Sequence, residues 1–119
     1  MFQANSLPSV TPRQLAEMLE NGREFILLDV REPLELMYAS LGDAAVNVPL
    51  SKLAEYGTEV LPEAITADQA AEVVVMCHHG VRSAQVVAWL RQQGWTHVFN
   101  LTGGIDGYAT AVDPAVGTY

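Results

Sequence analysis

The feature that most constrains this chain is the run Glu72-Val-Val-Val-Met-Cys77, which passes without a spacer into His78-His79-Gly80-Val81-Arg82. A short, continuous apolar run rich in β-branched residues reads as a strand buried on both faces, as in a mainly parallel sheet. From about Ser83 to Gln93 the pattern changes period: Val86, Val87 and Leu90 share one side, and Gly94 is a natural stop. A strand that turns directly into a helix is half of a βαβ unit, and it sets Cys77 at the junction.

The rest of the chain supports the same architecture. Thr11 suits an N-cap, Pro12 the first helical turn and Gln14 the far side of a capping box; Leu15, Met18 and Leu19 form one face before Gly22. Phe25-Ile-Leu-Leu-Asp-Val30 is a second buried strand. Pro33 opens a short helix through Tyr38, a brief strand runs from Ala45 to Val48, and a short helix follows Ser51. Residues 57–71 read as loop with some helix. His97 to Leu101 is a further strand, closed by a Gly103-Gly104 turn and a helical segment near Tyr108. The expected fold class is α/β, a central, mainly parallel sheet flanked by helices on both sides.

With 119 residues and no repeat or linker, the expectation is one domain over 1–119, its core at about 9–110 and a C-terminal tail over 111–119. Fourteen acidic residues against six basic ones give a net charge of −8, which argues against nucleic acid and anionic membranes as partners. The single cysteine excludes an internal disulfide, a Cys-rich metal site and a C-x-x-C dithiol cycle. The first residues lack a basic n-region and a long apolar stretch, and no apolar run nears the ~20 residues of a membrane span. The expected setting is therefore soluble and cytoplasmic.

Cys77 sits where ligands bind in open α/β sheets, beyond the carboxyl end of a strand. The helix N-terminus that follows presents free N–H groups and a partial positive charge, and Gly80 permits a tight turn with inward-facing amides. That environment stabilises an anion such as a thiolate or an ionised persulfide.

At this point Cys77-His-His-Gly-Val-Arg-Ser83 resembles the active-site loop of the rhodanese family. Asp29-Val-Arg-Glu-Pro33, Asn47-Val-Pro49 and Asn100-Leu-Thr-Gly-Gly104 resemble its other signatures, in the family's order. The likeness spans Thr11 to about Tyr108. It implies a sulfurtransferase that moves sulfane sulfur from a donor such as thiosulfate to a thiol or other nucleophilic acceptor through a Cys77 persulfide. The four residues between Cys77 and Arg82 match the sulfur-handling branch; related phosphatases and arsenate reductases have five. The rival reading is a rhodanese-like carrier or regulatory module, loaded by a partner protein and turning over little alone. The chain departs from the family at Ser40-Leu41-Gly42, where Gly-His-Ile is common, and at Tyr108, where a tryptophan is common.

The expected site has Cys77 as nucleophile and sulfur carrier. Backbone amides of His78, His79, Gly80, Val81 and Arg82 bind the anionic sulfur, and the Arg82 side chain assists. Neither cofactor nor metal is expected. His78 and His79 read as pocket rim, because neighbours in a tight loop usually project apart. Asp29 and Arg31, at the end of a neighbouring strand, fit a catalytic or a loop-supporting role, the latter favoured; His97, Trp89 and Trp95 read as structural, and Gly103 and Gly104 as a turn requiring positive φ.

Overall fold

The structure is a computed structural model that describes residues 7–119. Five parallel strands lie in the order β1-β5-β4-β2-β3: β1 is Ser9–Val10, β2 Ile26–Asp29, β3 Ala45–Asn47, β4 Val73–Met76 and β5 Val98–Leu101. Helices α1 (Pro12–Glu20), α2 (Leu50–Tyr56), α3 (Glu63–Thr66), α4 (Val81–Gln92) and α5 (Gly104–Ala111) connect or follow them. From β2 the chain steps outward to β3; from β4 it steps the other way to β5. The direction reverses between β2 and β4, so a crevice opens at their carboxyl ends.

Strand alternation assigns each side chain to a layer. Leu28, Val73 and Val75 point to one face, where Leu53, Ile65, Val86, Val87 and Leu90 of α2, α3 and α4 cover them. Leu27, Val74 and Met76 point to the other, against Leu15 and Met18 of α1 and Ile105 and Tyr108 of α5. The sheet is thus covered on both sides, as expected. Cys77 follows Val73 and Val75 in the alternation and so aims beneath the first turn of α4. Each fully buried Val or Leu on α4 contributes about 1.5–3 kcal/mol, which holds the helix start against the strand end.

Local signals in the sequence act as read. The Thr11 hydroxyl accepts from Gln14 N–H at 3.1 Å, and the Gln14 side chain accepts from Thr11 N–H at 2.8 Å. Trp95 is buried and its indole N–H donates to the Ile65 carbonyl at 2.9 Å. Three details differ from the sequence reading. Helix α4 starts at Val81 rather than Ser83, because Gly80, at φ +99°, takes the left-handed cap position. The Gly103-Gly104 turn is also the start of α5, both glycines having positive φ. Finally, β1 was not anticipated; Ser9 and Val10 pair with Asn100 and Leu101 of β5. Among the described residues no helix is long and apolar enough to cross a membrane.

Candidate active site

Cys77 is 1% exposed, and its sulfur is met by main chain rather than hidden from it. Gly80 N–H donates to Sγ at 3.1 Å and Ser83 N–H at 3.4 Å. Of the expected amides, Gly80 is the one that touches the sulfur. Ser83, just past the expected stretch, supplies the other contact. Both come from the loop and first turn of α4, where N–H groups have no helical acceptor.

The loop owes its shape to braces from neighbouring elements. Asn100, at β5, donates from Nδ2 to the Gly80 carbonyl at 3.1 Å and accepts at Oδ1 from the Ser83 hydroxyl. Because the Gly80 carbonyl only accepts, the Asn100 amide orientation is fixed. The one hydroxyl proton of Ser83 is therefore committed to Asn100. Ser83 Oγ lies 3.3 Å from Sγ, so with a protonated thiol the sulfur is the donor in that contact.

The two glycines have a specific task. Ile105 N–H donates to the Cys77 carbonyl at 2.9 Å and Asp106 N–H to the His78 carbonyl at 3.1 Å. For α5 to approach that closely, Gly104 must lack a side chain; a Cβ there would collide with the His78 and Cys77 carbonyls.

Asp29 and Arg31 form a buried pair at the end of β2. Arg31 Nη2 lies 2.7 Å from Asp29 Oδ2, and Nε lies 3.0 Å from Oδ1; Arg31 is fully buried and Asp29 is 1% exposed. Burial pulls the Arg31 guanidinium down, but its bonds to Asp29 and Tyr119 outweigh this and hold it above its ordinary value. Asn47 stitches the same corner, donating to the Asp29 and Arg31 carbonyls at 2.9 and 2.8 Å. These bonds tie the end of β2 to β3 and, through Arg31, to Glu35 and Tyr119.

Arg82 grips a carboxylate. Both of its terminal nitrogens bond Glu35, which lies in a short 3-10 turn over Pro33–Met37. The Glu35 bond is the main cause that raises the Arg82 guanidinium, with smaller contributions from the charges of Cys77 and Tyr119. The arginine thus stands within the electrostatic reach of the sulfur, its charge shared with Glu35.

The rings of His78 and His79 do not project apart: their centroids are 3.8 Å apart, and His78 stacks in turn on Tyr119. With Asp106 they bring three possible metal-ligand atoms within 4.8 Å of one another. The two imidazole planes are tilted by 33°, and three ligand atoms are one short of the four of a closed tetrahedral site. A cavity of about 430 Å3 lined by Leu50, Leu53, Val86 and Trp89 holds no ionisable side chain and lies apart from this chemistry.

Sequence reasoning located Cys77 and its loop. Ser83 and Asn100 stood inside the quoted motifs without being singled out. Glu35 and Tyr119 were missed, since each acts across a long stretch of chain.

A parallel α/β sheet delivers its one cysteine to backbone amides at a helix N-terminus, at the point where strand order reverses, and these features define a class of α/β protein with a cysteine cradled at the end of a central strand. The comparisons are specific. A family model for the rhodanese-like domain matches residues 11–111, and the chain belongs to that family. It is 39% identical over 93 residues to Rhodanese-like/PpiC domain-containing protein 12, chloroplastic, of Arabidopsis thaliana, covering 78% of this chain but 30% of that protein. It is 33% identical over 114 residues to Thiosulfate sulfurtransferase GlpE of Haemophilus influenzae, covering 96% of this chain and 99% of that one. A rhodanese-related protein from Thermoplasma volcanium superposes with a TM-score of 0.68 at 30% identity, over 88% of this chain and 93% of that one. Some relatives are thus several times longer than this chain, whereas others match it end to end.

Proposed function

We propose that this chain is a cytoplasmic sulfurtransferase that carries sulfane sulfur on Cys77. The observation that carries the reading is the pair of main-chain N–H groups, from Gly80 and Ser83, directed at Cys77 Sγ. They are placed to donate to the sulfur as nucleophile and later to a persulfide in the same cradle. Similarity along almost the whole length of a relative named as a thiosulfate sulfurtransferase supports it.

The reaction has two displacements. The Cys77 thiolate attacks the outer sulfur of the donor; the donor S–S bond breaks and its electron pair leaves with the remainder, sulfite in the case of thiosulfate. An acceptor thiolate then attacks the outer sulfur of the persulfide. The Sγ–S bond breaks, Cys77 departs as thiolate and the acceptor becomes the persulfide. The chain's own groups hold and release sulfur in both steps, with no cofactor or metal. Steady-state transfer from thiosulfate to a dithiol tests the reading: wild type should turn over and Cys77→Ser should not. An aryl phosphate should be untouched by either.

A second reading is favoured by one observation. Arg82, the one cation of the loop, is neutralised by Glu35, and the chain carries a net charge of −8. A small dianion meets no uncommitted guanidinium there, which favours a carrier loaded by a protein persulfide. Such a carrier would load faster from a persulfidated protein than from free thiosulfate.

A further inference from the structure

We infer that Tyr119 is a specificity-determining wall of the Cys77 site, restricting it to sulfur presented on a slender, unbranched arm such as thiosulfate or a cysteine persulfide. The inference rests on Cys77 as the reacting atom.

The segment after α5 follows a built path back to the site. Asp113 caps a turn over Pro114–Val116, accepting from Ala115 N–H at 3.0 Å. The Val116 carbonyl then accepts from Ser40 N–H at 2.9 Å, so the segment docks on the stretch Ser40-Leu41-Gly42, where this chain departs from the family pattern. Gly117, at φ +97°, passes so close to Tyr38 that a Cβ would strike the Tyr38 carbonyl.

The path leads to Tyr119, whose ring meets the start of the sulfur-holding loop at His78 and whose hydroxyl meets the Glu35 that holds Arg82 at its far end. It stacks on His78 with centroids 3.7 Å apart and planes 4° from parallel, and leans on Tyr38 at 5.7 Å. Its hydroxyl donates to Glu35 Oε1 at 2.8 Å and accepts from Arg31 Nη1 at 3.2 Å. His78 opens the loop, and Arg82, clamped on the same Glu35, closes it. A flat ring is thereby anchored at His78, next to Cys77, and at the carboxylate that positions Arg82. Tyr119 is 38% exposed. Steric exclusion by a positioned ring is a recognised route to specificity.

Alkylation of the one cysteine reads access to it directly and needs no sulfur transfer, so it separates this inference from the proposed activity. The measurement is the ratio of Cys77 modification rates by N-phenylmaleimide and by iodoacetamide. Tyr119→Ala should raise the ratio about tenfold, Tyr119→Phe should leave it at the wild-type value, and Tyr119→Trp, which enlarges the ring, should not raise it. An unchanged ratio in Tyr119→Ala, or equal acceleration of both reagents, overturns the assignment. Should Tyr119→Ala not fold, Tyr119→Leu provides the same comparison.

Discussion

The guanidinium of Arg82 lies fork to fork on the carboxylate of Glu35, Nη1 2.7 Å from Oε2 and Nη2 2.8 Å from Oε1. Such bidentate geometry is the strong form of an ion pair. It ties the Pro33–Met37 turn to the first turn of α4, and so positions the arginine beside the loop without leaving its charge free.

That pair makes stability depend on acid. The Arg82 hydrogen bonds push the Glu35 carboxyl from 4.5 down to about 2, assisted by Glu32 N–H and the Tyr119 hydroxyl and opposed by burial. A carboxyl depressed by folding stabilises fully above its unfolded value, and that contribution is lost as pH falls through the folded one. The loss should fall between pH 4.5 and about 2. Because the pair is partly exposed, its size should be on the order of 2 kcal/mol. Urea melts across this window should show the decline, and Glu35→Gln should reduce it.

Asp29→Ala should cost about 3–5 kcal/mol, because it leaves the Arg31 charge buried without its principal partner. Equilibrium unfolding at neutral pH measures this. A change below about 1 kcal/mol, the scale of a surface pair, would contradict the structural role assigned here.

Gly104→Ala should destabilise the protein and slow sulfur loading together, since a Cβ there displaces the Cys77 and His78 carbonyls from the N-terminus of α5. A bulkier residue at a left-handed position alone costs about 1 kcal/mol. The collision adds to that. Thermal melts and loading rates of Gly104→Ala and of a control, Gly22→Ala, separate the two: Gly22 has the same sign of φ but open space around it.

Where neighbours in sequence decide structure, the sequence was readable. Thr11 and Gln14 announce their capping box because both partners lie within one turn. The Val73–Met76 strand and the inward face of α4 follow from periodicity, and Cys77 falls at their junction. Ser9 and Val10 carry no such signal: two residues cannot show alternation, and β1 exists because β5 offers it an edge. The same holds at the site. No local pattern says that Tyr119 returns to Arg31, 88 residues away, or that Glu35 meets Arg82 across 47. Nor does sequence reveal that the His78 and His79 rings lie against each other, tilted by 33°, while Tyr119 offers His78 a flat face.

Asn100→Ala should leave the fold intact while slowing persulfide formation. It removes the bonds that hold the Gly80 carbonyl and the Ser83 hydroxyl, each worth about 1 kcal/mol. Loading should slow roughly tenfold, the kinetic equivalent of about 1.4 kcal/mol. Single-turnover loading from thiosulfate measures it, with circular dichroism as the check on folding.

The most direct test of the central claim, that Cys77 carries sulfur in its cradle of amides, is intact mass after incubation with a sulfur donor. Wild type should gain the mass of one sulfur atom, mapped to Cys77 and removed by a reducing thiol, while Cys77→Ser gains nothing. A wild-type protein left unmodified by thiosulfate and by a protein persulfide alike, or an equal gain in Cys77→Ser, would contradict the account.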